Sequence, residues 1–211
     1  MSYAAIQAAI NQGNAIAGSI LGTAFSQYRP AGGVAINSAT LVGSVTASFA
    51  AKGNFTRPGS VKDPEFIGYF DITDTLPGDY LVGSSTYFIA SQEPLLPTLC
   101  VLCNGTVTLS RVPAGSSSGL QTEQSQTPAA ATTVFTAWPA SILQGTKGER
   151  GDVNLPDDTR TPWWAIRLPA TPGILIRTDD YLTDANGIAY SVSSAELTRY
   201  GWRLTARQNE T

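Results

Sequence analysis

A chain of 211 residues fits one large domain or two small ones and can bury a sizeable core without disulfides or metals. Charged residues are only 14%, against about 25% in typical soluble domains. Ser, Thr, Gly, Ala, Asn and Gln replace them, and such a surface costs little to desolvate, as suits a subunit of a larger assembly. The net charge of −3 divides into +3 over residues 1–60, −4 over 61–112 and −2 over 113–211. No segment carries the basic footprint of a sequence-specific nucleic-acid reader, and no run of about 18 apolar residues could cross a membrane as a helix.

Residues 3–24 read as one helix. Ile6, Ile10, Ala17, Ile20 and Leu21 fall near one face, with Gln and Asn opposite. The stretch is apolar but lacks a basic start, and Gln7, Asn11, Gln12 and Asn14 interrupt it, so it does not read as a secretion signal. The expected location is therefore a cytoplasm or a particle assembled there, and the sequons at Asn54, Asn104 and Asn209 read as chance matches. A helix this poor in charge needs a neighbour, either its own domain or another subunit. Residues 30–60 are rich in Gly, Ala, Ser and Thr, with short strands such as 34–36 and 41–49. We read residues 1–60 as an N-terminal helix and extended arm.

From Phe66 the pattern is plainly β. EFIGYFDI, GDYL, TYFIAS and LCVLCNGTVTLSRV alternate as strands, the last predicted to fold back at Asn104-Gly105, because Asn-Gly between apolar runs favours a tight hairpin. Residues 61–112 form a first β-module in this reading. Residues 113–133 contain one large apolar residue, Leu120, and are expected to be a flexible linker. Residues 134–211 form a second module with a long polar loop at 144–160. Its strands are VFTAWPASIL, PWWAIRLP, GILIRTDDYLT, GIAYSVSS and GWRLTARQ, with a tight turn at Asn186-Gly187.

The two modules share a phrase. DYLVGSSTYFIASQE at Asp79–Glu93 matches DYLTDANGIAYSVSSAE at Asp180–Glu196: Asp-Tyr-Leu, a hairpin, then Tyr-x-[Ile/Val]-x-Ser-x-Glu. Tyr and Ile or Val two residues apart share a strand face, and each Asp stands where a carboxylate can accept from turn amides. The expected fold is mainly β: an N-terminal helix or arm, then two related β-barrel or β-sandwich modules, with internal duplication preferred over convergence of two hairpins.

Catalytic signals are sparse. With no histidine, Ser-His-Asp, Cys-His and HExxH chemistry is excluded, and no phosphate-binding glycine loop is present. The acid pairs Asp157-Asp158 and Asp179-Asp180 could in principle flank a glycosidic bond, but adjacent acids read as solvated turns. Cys100 and Cys103 form a lone CxxC without further ligands, in strand context where the two face opposite ways. Both are expected reduced and metal-free. Arg150-Gly151-Asp152 reads as a chance tripeptide. Of Trp163 and Trp164, one is expected in the core and the other at an interface or an exposed binding platform. No catalytic, metal or cofactor site is assigned.

The stretches GDYLVGSSTYFIASQEPLLP, TPWWAIRLP and IRTDDYLTDANGIAYSVSSAELTRYGWRLTA resemble small structural proteins of tailed phages and prophages, the β-barrel stopper, collar and connector proteins of the head–tail junction. The resemblance covers residues 61–112 and 134–207. It implies a non-enzymatic virion protein, assembled in the host bacterial cytoplasm, that forms a six- or twelve-fold ring of its own copies. Portal or connector and tail or neck proteins would be its partners, and the ring would at most line a DNA channel passively. A tail-tube, terminator or baseplate subunit is the first alternative, and a capsid decoration or carbohydrate-binding protein using a tryptophan the second. The subunit contacts expected are Ile6, Ile10, Ile20 and Leu21 on the helix and Lys147, Glu149, Arg150, Asp152, Asp157, Asp158 and Arg160 on the long loop, together with Trp163.

Overall fold

The structure, a computed structural model, describes residues 2–51, 64–112, 131–145 and 163–209. One helix, α1 (Tyr3–Leu21), precedes twelve strands. β1 (Thr23–Tyr28), β2 (Leu41–Ala51), β3 (Glu65–Tyr69), β4 (Tyr80–Val82), β5 (Thr86–Ser91) and β6 (Thr98–Cys103) close into one barrel in the order β1-β2-β3-β6-β5-β4. β7 (Gly105–Arg111), β8 (Thr132–Gln144), β9 (Trp163–Leu168), β10 (Tyr181–Asp184), β11 (Ala189–Thr198) and β12 (Gly201–Gln208) close into a second, β7-β8-β9-β12-β11-β10. Closure leaves no strand edge open to pairing.

The two orders are the same when β1–β6 are laid on β7–β12. The match extends to irregularities: β5 breaks register on β6 between Ile89 and Ser91, and β11 on β12 between Val192 and Ser194. The residue before each Asp-Tyr-Leu has positive φ, Gly78 at 99° and Asp179 at 68°. Glycine takes that conformation freely, and aspartate is among the few other residues that tolerate it. Its amide donates to β5 or β11, Gly78 to the Ile89 carbonyl and Asp179 to that of Val192.

Strand pairing divides the chain differently from the expectation at residues 60/61 and 113–133. β1 and β2, expected to be an arm, are two of the six staves of barrel 1. β2 takes up the strand expected at 41–49, whereas the strand expected at 34–36 does not form, Val34 making only an isolated bridge with Ala31. The predicted hairpin at Asn104-Gly105 does not form. β6 and β7 belong to different barrels, and Asn104 alone joins them. Its side chain both accepts from the Ile142 amide and donates to the Ile142 carbonyl, at 2.7 Å each. The stretch expected to be a linker therefore lies between β7 and β8, inside barrel 2, and residues 113–130 of it fall outside the described residues. The turn at Asn186-Gly187 is present, with Gly187 at φ 82°.

Barrel 1 is filled by Phe25, Phe70, Leu81, Tyr87, Ile89 and Cys100, with the Phe49 and Tyr87 rings stacked at 3.8 Å. The interior of barrel 2, including Val107, Leu109, Trp138, Ile166, Tyr190 and Leu204, is continuous with Tyr80, Phe88, Ala90 and Val101 of barrel 1. β5 is thus buried on both faces: Tyr87 and Ile89 point into their own barrel, Phe88 and Ala90 toward the other. The Tyr80 hydroxyl donates to the Pro139 carbonyl at 2.7 Å, the Trp138 indole donates to the Gly33 carbonyl at 3.1 Å, and Arg167 pairs with Glu65 at 2.7 Å.

Candidate subunit interface

α1 begins at Ser2, whose hydroxyl accepts from the Ala5 amide, and it carries no charged residue at either end. It lies on β2 and β3 of barrel 1, but not by its apolar face. The contact side is Gln7, Asn11, Asn14 and Gly18, and Gly18 is its one buried residue. Gln7 accepts from the Leu95 amide at 2.6 Å. At Gly18 a methyl group would stand 2.5 Å from the Tyr69 carbonyl and 3.0 Å from that of Thr46, so the close approach requires glycine. Beside this contact, Ala15 and Ser19 border an open cavity of about 530 Å³ whose lining also includes Arg29, Val42 and Thr46.

Ile6, Ile16 and Ile20 point away from the barrel. Tyr3, Ile6 and Ile16 are 59%, 39% and 50% exposed, and Ile20 and Leu21 are both 74% exposed. An amphipathic surface helix normally turns its apolar stripe to the core; α1 half-buries Ile10 and Ala17 but leaves Ile6, Ile16 and Ile20 exposed. Of the expected contact residues, Ile6 and Ile20 are exposed on this outward side, Leu21 is exposed at the end of the helix and Ile10 is half-buried. Lys147, Glu149, Arg150, Asp152, Asp157, Asp158 and Arg160 lie outside the described residues. Trp163 is half-buried on β9, its ring lying against Gly145. It belongs to barrel 2 and so to a different surface from α1. Trp164, beside it, packs into the shared core against Tyr190.

Each Asp-Tyr-Leu aspartate is a clasp. Asp79, 1% exposed, accepts from Nε and Nη2 of Arg29 at 2.8 Å each and from the Leu76 amide at 2.9 Å. Asp180, 2% exposed, accepts from Nε and Nη2 of Arg111 and from the Arg177 amide, all at 2.7 Å. The turn amides follow the sequence reading. The arginines, one at the end of each barrel's first strand, went unnoticed, although Arg29-Pro30 and Arg111-Val112-Pro113 are a second repeated signal. Hydrogen bonding to the aspartates raises both guanidinium pKa values further. This bidentate geometry locks Asp180 away from Asp179, which is exposed, so the two do not form a facing acid pair.

Cys100 is buried in barrel 1, Cys103 packs toward barrel 2, and both are free thiols. Burial pushes both thiol pKa values up, the opposite of an activated nucleophile. Among the described residues no three His, Cys, Asp or Glu side chains cluster as metal ligands, and no helix is long and apolar enough to cross a membrane. No family profile, characterised protein or solved structure matches the chain.

Proposed function

We propose that the chain is a non-enzymatic structural subunit that assembles with copies of itself into a ring, and that the ring sits in the neck of a tailed phage or prophage particle, between portal and tail. The observation that carries the assembly reading is the outward apolar face of α1. Exposed isoleucines on an uncharged helix mark a contact surface rather than a solvated one, and desolvating them breaks no ion pair. Two barrels sharing one core provide a rigid body on which such a contact can be repeated. The setting in the neck follows from the resemblance of residues 61–112 and 134–207 to head–tail joining proteins. A catalytic reading finds no support in the described residues, where the acids of the Asp-Tyr-Leu motifs are tied to arginines.

The experiment is labelling of the particles with antibody to this chain, together with disruption of its gene. Label at the head–tail junction, and separate filled heads and free tails when the gene is silenced, is the expected result. Label along the whole tube would favour the tail-tube alternative, label over the head a decoration protein. Joined, infectious particles without the chain would refute the neck assignment.

A further inference from the structure

The duplication repeats surfaces as well as strands. By register, Val45, Thr46 and Ala47 of β2 correspond to Trp138, Pro139 and Ala140 of β8, because Phe25–Val45 and Val107–Trp138 are matching pairs. Within the chain, barrel 1 sits on the β8 segment: Tyr80 bonds the Pro139 carbonyl, and Phe88, Leu99 and Val101 join the same core. On barrel 1 the corresponding β2 segment is covered by α1, with Gly18 against the Thr46 carbonyl and Gly22 against that of Ala47. The helix therefore occupies the place where a preceding barrel would sit.

The opposite end is also defined. The barrel 1 residues that face barrel 2, namely Glu65, Phe88, Leu99 and Val101, have as counterparts in barrel 2 Trp163, Ser191, Thr205 and Arg207. Of these, Arg207 is exposed and Trp163, Ser191 and Thr205 are half-buried. Glu65 meets Arg167 inside the chain; its counterpart Trp163 has no charge to satisfy and suits the uncharged helix.

We infer that the outward face of α1 is the docking site for a second copy of this chain, which presents the barrel 2 face of Trp163, Ser191, Thr205 and Arg207, so that copies join head to tail. This rests on the assembly reading above and specifies its two surfaces. A contact between different patches of identical chains propagates, closing into a ring when the rotation allows. It continues from chain to chain the barrel-to-barrel stacking already present within one chain, with α1 as the adaptor between copies. The outward Ile6, Ile16 and Ile20 and the seating of α1 by Gln7, Asn11, Asn14 and Gly18 have one cause here: the apolar face belongs to the neighbour.

The test is sedimentation velocity on the full chain over a range of concentrations. Wild type is expected to self-associate, and Ile16→Glu with Ile20→Glu to weaken association by more than about tenfold, since each Ile loses its burial. Trp163→Glu should do the same from the other side, with Thr205→Arg as a second variant on that face should Trp163→Glu fail to fold. Each variant retains one intact surface, so an equimolar mixture of the helix and barrel 2 variants should form a one-to-one dimer that grows no further. A wild-type monomer at every concentration, a barrel 2 variant that associates as wild type does, as a symmetric helix–helix contact would give, or a mixture that stays monomeric overturns the inference. Particle labelling is independent of these surfaces, so failure here is distinguishable from failure of the neck assignment.

Discussion

Asp79→Ala is expected to cost more stability than Asp180→Ala, because the duplication supplies its own control. Both carboxylates hold one arginine and one turn amide in matching geometry. The arginines are 41% and 26% exposed, so each guanidinium regains water when its partner is removed. The cost of breaking each pair then falls from the ~3–5 kcal/mol of a fully buried pair to about 2 kcal/mol. Asp79 has an additional donor, Gln27, whose amide nitrogen lies 2.7 Å away and which is 2% exposed. Its counterpart in barrel 2 is Leu109, which needs nothing. Loss of a hydrogen bond to a charged group adds about 1.5–3 kcal/mol, taking Asp79→Ala to roughly 4 kcal/mol. The assay is urea unfolding, followed by far-UV circular dichroism and tryptophan fluorescence, on Asp79→Ala, Gln27→Leu, the double variant and Asp180→Ala. In the Gln27→Leu background Asp79→Ala should fall to the cost of Asp180→Ala, with a coupling energy of about 2 kcal/mol. Additivity within about 0.5 kcal/mol would refute the reasoning.

Tyr80→Phe should lower stability by about 1–2 kcal/mol by stranding the buried Pro139 carbonyl, while unfolding remains one transition because the barrels share a core; separate transitions for the two barrels would contradict that. Stability should be level from neutral pH to about 9 and then fall. Burial raises the folded pKa of Tyr80, and burial with the Asp184 carboxylate nearby raises that of Tyr190 to about 12 from an ordinary 10.0. Groups raised in this way contribute stability below the unfolded pKa and lose it as pH rises through the folded one. Denaturation measured against pH should show Tyr190→Phe losing less than wild type between pH 10 and 12, and equal slopes would count against the assignment. Thiol-reagent kinetics should find Cys100 and Cys103 slow in the native protein and fast in urea; rapid native labelling would show that the barrels do not protect them.

Much of the architecture was legible in the chain. Tyr-x-[Ile/Val] alternation marks the inner faces of β5 and β11, and Asp-Tyr-Leu marks the turn entering β4 and β10, because both signals act within a few residues. TYFIAS was legible as a strand; that Tyr87–Ser91 would be buried on both faces was not. The lack of charge on α1 pointed to a neighbour for it, and Ile6, Ile10, Ile20 and Leu21 were read as one face. Tertiary structure decided the rest. Residues 41–49 read as a short strand of an arm, and only pairing with β1 and β3 makes β2 a stave of a barrel. Asn104-Gly105 has the chemistry of a hairpin turn, yet the strands on either side find partners in different barrels, and those longer-range pairings override the local preference. Periodicity likewise placed the isoleucines of α1 on one face without saying which way it points. That depends on Gly18 fitting against the Tyr69 and Thr46 carbonyls, a contact between residues 28 and 51 positions apart that exists only once the barrel has closed.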